Sequence, residues 1–329
     1  MDSGGRDDEG GGARILIAYH APHPVLAGPC LMPIHVGRAG AGTVLPDMAG
    51  DDTGDNISAL NPEYCELTAH YWAWKNLPCT GPVGLMHYRR LFDFTGRLNA
   101  HFHAERYLPD FDAAAYRTDV AARFARPAGP LLIVPRPARL SLPLGLHYRV
   151  FHHGHDLAVL RAVVAERHPH FRPDLDRALR SNRFVMGNMC VMSRPVFDHY
   201  SALLFDILAE TRARLKMHER DGYQRRYLGF LAERIMTAYA LGNHLRRSFP
   251  GLVPEFRGIV NIDRRIPARA GALRLARLCL QRRIAPGDDG GPLREGSRAD
   301  RPLSRPDGWA CLPLSTMRQA ICRRGKACP

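Results

Sequence analysis

Two adjacent arginines follow a short apolar segment near residue 85. Residues 82–86 have the length and composition of a buried strand, and His87, Tyr88, Arg89 and Arg90 come directly after them. Ligands bind beyond the carboxyl ends of the strands in an open α/β sheet. Two guanidinium groups at such an end suit a substrate that carries phosphate. The alternative interpretation is that the two arginines form a solvated sheet edge.

A run of acids and amides lies upstream of this predicted strand. Asp51, Asp52, Asp55 and Asn56 belong to a polar, turn-prone segment. These side chains could bind the ribose of a nucleotide, hold a metal ion, or cap the helix that we predict over residues 61–76. Capping suits Ser58 and Asn61 better, which leaves the three aspartates free for a ligand role, and both interpretations stay open.

Aromatic side chains are concentrated in the helix predicted over residues 61–76. Tyr64, Tyr71, Trp72 and Trp74 lie there, next to the same strand end. A sugar-binding cleft is one explanation for this cluster. Ordinary core packing is the alternative, and it is the better explanation for either tryptophan taken alone.

Histidines are densest between residues 147 and 155. Zinc binding is disfavoured because the adjacent His152 and His153 cannot easily bind one ion together, and no cysteine lies near them. A polar cleft wall or a phosphate contact is the preferred interpretation, and exposure to solvent is the alternative.

Two further polar residues lie in predicted core elements. Asn188 is part of an apolar strand predicted over residues 184–192, and a buried amide needs hydrogen-bond partners. Glu233 lies beside Arg234 on a helix predicted over residues 227–242. The alternative to a functional role is a core amide with all its hydrogen bonds made for Asn188, and a surface ion pair with Arg234 for Glu233.

The predicted elements alternate between strand and helix. We predict strands at 14–19, 31–36, 83–86, 131–134 and 184–192, and helices at 61–76, 113–124, 155–168, 174–181, 194–216 and 227–242. This alternation indicates an α/β fold with a mostly parallel central sheet flanked by helices.

Composition indicates one globular domain between two tails. The chain has 329 residues and a formal charge of +14. Residues 1–13 are glycine-rich and acidic, which predicts a disordered leader; residues 14–263 form the predicted catalytic domain. Eight cysteines without CxxC spacing indicate a reducing, cytoplasmic setting. No segment has the roughly 18 apolar residues that a membrane span needs.

The predicted C-terminal tail, residues 264–329, is strongly basic. It holds fifteen Lys and Arg against five Asp and Glu. Its first part could form a short amphipathic helix that lies on an anionic membrane surface, at the inner face of the cell membrane. An arginine-rich tail without structure is the equal alternative. No ribonucleoprotein motif or helix-turn-helix signature supports nucleic-acid binding.

Four ordered segments resemble the bacterial family called domain of unknown function 4422. The first joins DDTGDNIS, NPEYCELTAHYWAWKN and GLMHYRRLF between residues 51 and 92. The others are HHGHDL at 152–157, GNMCVMSRPVFDHYSALLFDIL at 187–208 and GYQRRYLGFLAERI at 222–235. In this order they extend from residue 51 to residue 235.

The resemblance implies a glycosyltransferase of the GT-A type, from capsule or exopolysaccharide biosynthesis. A hexosyltransferase of this kind would move a sugar, galactose or galactofuranose, from a nucleotide-diphosphate donor. The donor implied is a UDP-sugar, and the acceptor is a surface polysaccharide or a lipid-linked glycan. A non-catalytic protein of the same fold that binds carbohydrate or nucleotide is the alternative function.

The resemblance and the residue types together give three sets of candidate residues. The catalytic candidates, as a general base, are Glu233, Asp51 and Asp52. The candidates for donor binding are Tyr19, His20, Asp55, Asn56, His87, Tyr88, Arg89 and Arg90. The candidates for binding sugar or acceptor are His152, His153, Asp156 and Asn188.

Metal dependence is left open by the sequence. GT-A enzymes commonly hold Mn²⁺ or Mg²⁺ with an Asp-x-Asp motif at a strand end. The two matches here, which begin at Asp110 and Asp174, do not follow apolar strands. At the expected strand end the arginines stand instead, and they could neutralise a diphosphate leaving group in place of a cation.

Overall fold

A computed structural model describes residues 12–98, 103–126, 129–215, 220 and 222–263. The predicted basic tail and nearly all of the predicted leader lie outside the described residues. Among the described residues, the first strand begins at Arg14 and the last ends at Asp263. Because residues 1–11 and 264–329 are not described, the proposed limits of the catalytic domain stay a prediction.

In the described part of the chain, a ten-stranded mixed sheet forms the centre of the fold. Seven strands are ordered β11-β7-β10-β4-β1-β2-β3, and β5, β12 and β6 extend the sheet from β4. β1 is parallel to β2 and β4, whereas β10 is antiparallel to β4 and β7. β8 and β9 form a separate pair. The strands are β1 (Arg14–Tyr19), β2 (Leu31–His35), β3 (Ala49–Gly50), β4 (Val83–His87), β5 (Arg90–Phe92), β6 (His103–Tyr107), β7 (Leu132–Pro135), β8 (Ala138–Arg139), β9 (Arg183–Phe184), β10 (Cys190–Met192), β11 (Glu255–Arg257) and β12 (Ile259–Asp263).

Helices cover both faces of this sheet, which confirms the predicted α/β class with a mostly parallel sheet. None of the described helices is long and apolar enough to cross a membrane. The helices are α1 (Asn61–Tyr64), α2 (Leu67–Asn76), α3 (Ala113–Phe124), α4 (Leu144–Phe151), α5 (Gly154–Arg167), α6 (Arg172–Arg180), α7 (Arg194–Arg214), α8 (Tyr227–Leu241) and α9 (His244–Ser248).

The central strand β1 is buried on both faces. Leu16 and Ala18 pack with the core under α2 and α5–α8, while Ile15 and Ile17 pack with the core that includes α3. Side chains of a strand alternate between faces, so an uninterrupted apolar segment is what a strand between two helix layers requires. Beside it, Gly84 of β4 allows β10 to approach closely, since a Cβ there would lie 2.9 Å from the Cys190 carbonyl oxygen.

Two predicted elements are divided in the structure. The helix predicted over residues 61–76 is broken at Cys65, whose backbone has φ 55° and ψ −136°. The strand predicted over 184–192 is broken at Gly187 and Asn188, both of which have positive φ. Single-element predictions were therefore wrong at both places, and the two breaks flank the candidate site described next.

Candidate functional site

A cavity of about 550 Å³ opens where the parallel strands β1 and β4 end. Its wall combines residues that follow β1, β4 and β5 with the region between α1 and α2 and the turn before α8. The lining residues are Ala18, His20, Val36, Asn61, Pro62, Cys65, Glu66, His87, Tyr88, Arg89, Arg90, Gly222, Arg225, Arg226, Asn261 and Ile262. The cavity therefore lies at the sheet edge at which α/β proteins bind ligands.

Four exposed arginines line the cavity. Arg89 and Arg90 follow β4, and Arg225 and Arg226 precede α8. Arg89 lies over the Tyr88 ring, and the Arg226 Nε donates a hydrogen bond to the Cys65 sulfur at 3.2 Å. Within the described part of the chain, no carboxylate forms an ion pair with any of the four. Their charge is therefore available to an anionic ligand.

Two histidines on the cavity wall are held in the neutral form. Burial lowers the pKa of His20, and the charges of Arg89 and Arg226 lower it further. Burial likewise lowers the pKa of His87 to about 4, although Glu66 opposes the shift. At neutral pH these rings therefore add no charge, and the positive potential of the cavity comes from the arginines.

Glu66 is the one carboxylate among the described residues that line the cavity. Its Oε1 accepts a hydrogen bond from the Asn188 side-chain amide at 3.0 Å and lies 3.8 Å from the His87 Nε2. No described group donates a hydrogen bond to its second oxygen. Among the described residues that line the cavity, four guanidinium groups outnumber one carboxylate, so this part of the wall is positively charged.

The backbone break at Cys65 determines where Glu66 lies. The Cys65 carbonyl oxygen accepts hydrogen bonds from the side chains of Asn61 and Thr68, at 2.8 and 3.1 Å. These bonds hold residue 65 in a sparsely populated conformation and start α2 immediately after Glu66. A continuous helix would carry residue 66 in a different direction, so the strained residue is part of the site's construction.

Five of the predicted donor-binding residues line the cavity, namely His20, His87, Tyr88, Arg89 and Arg90. Tyr19 does not, because its ring is fully buried, stacks on Tyr88 at 5.3 Å and holds the loop after β1 through its hydroxyl group. The structure therefore gives Tyr19 a supporting position behind Tyr88.

The acidic run lies outside the cavity lining and holds a neighbouring loop. Asp51 is fully buried and accepts hydrogen bonds from the backbone amides of Gly37 and Arg38 and from the Ser58 hydroxyl. A general base must reach a substrate hydroxyl, so this burial argues against a catalytic role for Asp51. Asp52 pairs with Arg38 at 2.7 Å.

Asp55 and Asn56 also make local contacts. Asp55 accepts a hydrogen bond from the Tyr71 hydroxyl, and the Asn56 side chain bonds the Gly54 carbonyl oxygen and the Ser58 amide. Neither lines the cavity. The predicted acidic site is therefore, in this structure, a scaffold around the start of α1 and α2.

The predicted sugar-binding residues lie beside the cavity lining. His152 stacks on Phe230 at 4.2 Å between ring centroids, and burial lowers its pKa to about 4. Asp156 is buried in a bidentate ion pair with Arg220. His153 precedes the first residue of α5. These contacts stabilise the packing of α5 against the turn before α8.

Glu233 and Asn188 contact the wall from behind. The Glu233 Oε1 accepts a hydrogen bond from the Gly187 amide at 2.7 Å, and its Oε2 pairs with Arg234 at 3.0 Å. Burial raises the pKa of Glu233, while Arg234 opposes that shift. Asn188 joins Glu66 to the Gly229 carbonyl oxygen. Both residues therefore connect α8 to the cavity wall.

Possible metal ligands are dispersed. Across the described ranges, no group of three or more His, Cys, Asp and Glu side chains is arranged to hold a metal ion. In the two Asp-x-Asp matches, Asp112 caps α3, Asp174 accepts a hydrogen bond from the His244 amide, and Asp176 pairs with Arg161. These acids have structural partners away from the cavity.

Three charged residues of the cavity lining were missed by the sequence prediction, namely Glu66, Arg225 and Arg226. All three lie in segments that carry the family resemblance, NPEYCEL and GYQRRYLGF. Arg225 and Arg226 form an adjacent arginine pair like Arg89 and Arg90. The sequence did not place this second pair at a ligand site because no predicted strand precedes it.

Comparisons with known proteins agree with this architecture. The sequence profile of a family described as domain of unknown function 4422 matches residues 14–244. The apo structure of the bifunctional glycosyltransferase WbbM is similar, with a TM-score of 0.68 and 26% sequence identity. The similarity covers 77% of this chain and 45% of that chain, so this chain matches less than half of the WbbM chain. No curated protein matches the chain.

Proposed function

The chain belongs to the domain of unknown function 4422 family, and on that premise we propose that it is a glycosyltransferase whose donor is a nucleotide-diphosphate sugar. The structural likeness to a bifunctional glycosyltransferase supports the reaction class. The observation that carries the proposal is the cavity with four arginines at the carboxyl ends of β1 and β4.

The four arginines suit a diphosphate leaving group. Negative charge develops on the diphosphate as its bond to the sugar breaks, and fixed positive groups stabilise that charge without reorganisation. Each charge-assisted hydrogen bond typically contributes about 1.5–3 kcal/mol. A guanidinium group also matches phosphate oxygens in a bidentate geometry.

The finer assignments are part of the proposal. The family resemblance supports UDP as the nucleotide, galactose or galactofuranose as the sugar, and a surface polysaccharide or lipid-linked glycan as the acceptor. Because the arginines supply positive charge, we propose that Mn²⁺ or Mg²⁺ is dispensable. UDP release that continues in EDTA would support this, and release that stops until the cation is restored would contradict it.

Calorimetry with UDP and uridine tests the proposed donor site. Arg89→Ala and Arg90→Ala should each weaken UDP binding by about 10-fold or more, since a lost charge-assisted contact is worth about 1.5–3 kcal/mol. Uridine binding should change little. Arg180→Ala, which alters an exposed arginine at the end of α6, is the control and should leave both ligands unaffected.

Equal losses for UDP and uridine would contradict the diphosphate assignment. UDP release from UDP-galactose and UDP-galactofuranose then separates the proposal from its alternative. A protein that binds UDP and never turns over either donor would be the non-catalytic binding protein.

A further inference from the structure

Among the described residues, only one oxygen of the Glu66 carboxylate accepts a hydrogen bond from a protein group. Asn188 donates to Oε1, and no described group donates to Oε2. The side chain lines the cavity next to Arg226 and His87. A group in this state can receive a proton from a substrate hydroxyl without first breaking a bond within the protein.

Three other described carboxylates near the wall, Glu63, Asp156 and Glu233, lack such an oxygen. Glu63 accepts hydrogen bonds from Arg212 and Tyr227, and Asp156 holds Arg220 with both oxygens. Glu233 is held by Gly187 and Arg234. Proton acceptance by any of these would require the loss of an ion pair, so Glu66 is the better candidate for a base.

A series of hydrogen bonds orients the Glu66 side chain. Glu233 accepts from the Gly187 amide, and this bond holds the turn in which Asn188 has φ 49°. Asn tolerates this left-handed conformation better than most residues. Its side-chain amide then reaches both Glu66 and the Gly229 carbonyl oxygen.

On this geometry we propose that Glu66 is the catalytic base of the transfer reaction and that Asn188 and Glu233 are positioning residues. The inference rests on the proposed function. The acceptor hydroxyl gives its proton to Glu66 while its oxygen bonds the anomeric carbon. The bond from that carbon to the phosphate oxygen breaks, and its electron pair leaves with the nucleoside diphosphate, toward the arginines. This single displacement inverts the anomeric configuration.

Glu66→Gln tests the base directly in the full-length protein. Glutamine keeps the oxygen that accepts from Asn188 and cannot take a proton. UDP release from UDP-galactose and UDP-galactofuranose is measured with octyl galactoside as acceptor, and the anomer is identified by NMR. We expect kcat to fall by about 10²–10⁴-fold while UDP affinity stays within about threefold. Glu210→Gln on α7, paired with Arg214, is the control and should keep wild-type kcat.

Glu66→Asp distinguishes chemistry from structure, because it keeps a carboxylate and shifts it by one methylene. The kcat of Glu66→Asp should be at least about tenfold higher than the kcat of Glu66→Gln. Asn188→Ala should lower kcat and leave the donor KM nearly unchanged, as expected of a positioning residue. Equal activity in the Asp and Gln variants would overturn the inference.

The inference and the proposed function fail in different ways. A wild-type protein that turns over donor while Glu66→Gln keeps its rate, or that retains configuration, removes the base and leaves the function standing. A wild-type protein that binds UDP without turnover on either donor overturns the base and favours the binding alternative. A wild-type protein that does not bind UDP overturns the donor site itself.

Discussion

Arginines occur in two contrasting settings in this protein, the cavity and the helix layer formed by α5–α8. In the helix layer each of several arginines has a carboxylate partner, as in the buried pair of Arg234 with Glu233 and the bidentate pair of Arg220 with Asp156. In the cavity, Arg89, Arg90, Arg225 and Arg226 have no ion-pair partner among the described residues.

We interpret the difference as one between charges that hold the fold and charges that, under the proposed function, bind the donor. A buried pair is costly to break because one uncompensated charge is left behind. An unpaired cation that is exposed at a cleft destabilises the folded state less than an unpaired buried cation does. Several such cations also strengthen the binding of an anion because they concentrate positive potential in the cleft. Substitutions in the two regions should therefore affect different properties.

The largest effect on stability should come from Glu233→Ala. Arg234 is 1% exposed, and without Glu233 its charge would be buried with no carboxylate. We expect the free energy of unfolding to fall by about 3–5 kcal/mol, measured by urea denaturation. Glu233→Gln should cost less, since an amide oxygen can still accept from the Gly187 amide. A loss below about 1 kcal/mol in the alanine variant would show that the pair does not hold the helix layer.

Arg226→Ala should have the opposite profile. We expect UDP affinity to fall by about 1.5–3 kcal/mol, which is roughly 10-fold to 150-fold, with little change in the free energy of unfolding. Calorimetry and urea denaturation on the same preparation measure the two quantities. A variant that loses stability and keeps UDP affinity would reverse our assignment of the two regions.

Acidification should weaken the packing of α4 against α8, where the His147 Nδ1 lies 3.4 Å from an Arg234 nitrogen and His152, directly after α4, stacks on Phe230. Burial lowers the pKa of His147 and His152 to about 4 in the folded protein, against about 6.5 when unfolded. Between these values the unfolded state binds more protons, so stability is complete above about pH 6.5 and decreases as pH falls toward 4. The slope should be about 1.4 kcal/mol per pH unit for each histidine. The His147→Gln variant should show a shallower slope in urea denaturation across this window; an unchanged slope would contradict the prediction.

The smallest effect should come from a surface pair of the helix layer. Arg161 pairs with Asp176 at 2.9 Å while about half of its side chain is exposed. Arg161→Ala should change the free energy of unfolding by about 0.2–1 kcal/mol and leave UDP affinity unchanged. A larger decrease in the free energy of unfolding would mean that exposed ion pairs also stabilise the fold strongly. Burial would then not explain why the arginines of the helix layer differ from those of the cavity.

Much of the fold followed from local patterns in the sequence. β1 is apolar on both faces, and Pro195 at the first turn of α7 marks the beginning of that helix. The break at Cys65 was not predictable in this way, because cysteine does not favour turns. It depends on hydrogen bonds from Asn61 and Thr68 that form only in the folded protein.

The candidate site was predicted in part for the same reason. Arg89 and Arg90 were found because a strand end is visible in the sequence, and ligands bind there. Glu233 was expected to reach the substrate, yet its oxygens face Gly187 and Arg234. Helical spacing locates a residue on a face of the helix but does not identify its hydrogen-bond partner. For Glu233 one partner is the Gly187 amide, which lies in the unpredicted turn before β10.

The hydrogen bond between Glu66 and Asn188 joins residues 122 positions apart in the chain. Contacts of such long sequence separation form only after a large loop has been closed, and they tend to slow folding. The turn at Gly187 should also open locally while β4 stays folded, so its amide should exchange hydrogen faster than those of β4; equal protection would contradict this. Under the proposed function, enzymatic activity should therefore recover in refolding only after the contact between Glu66 and Asn188 has formed.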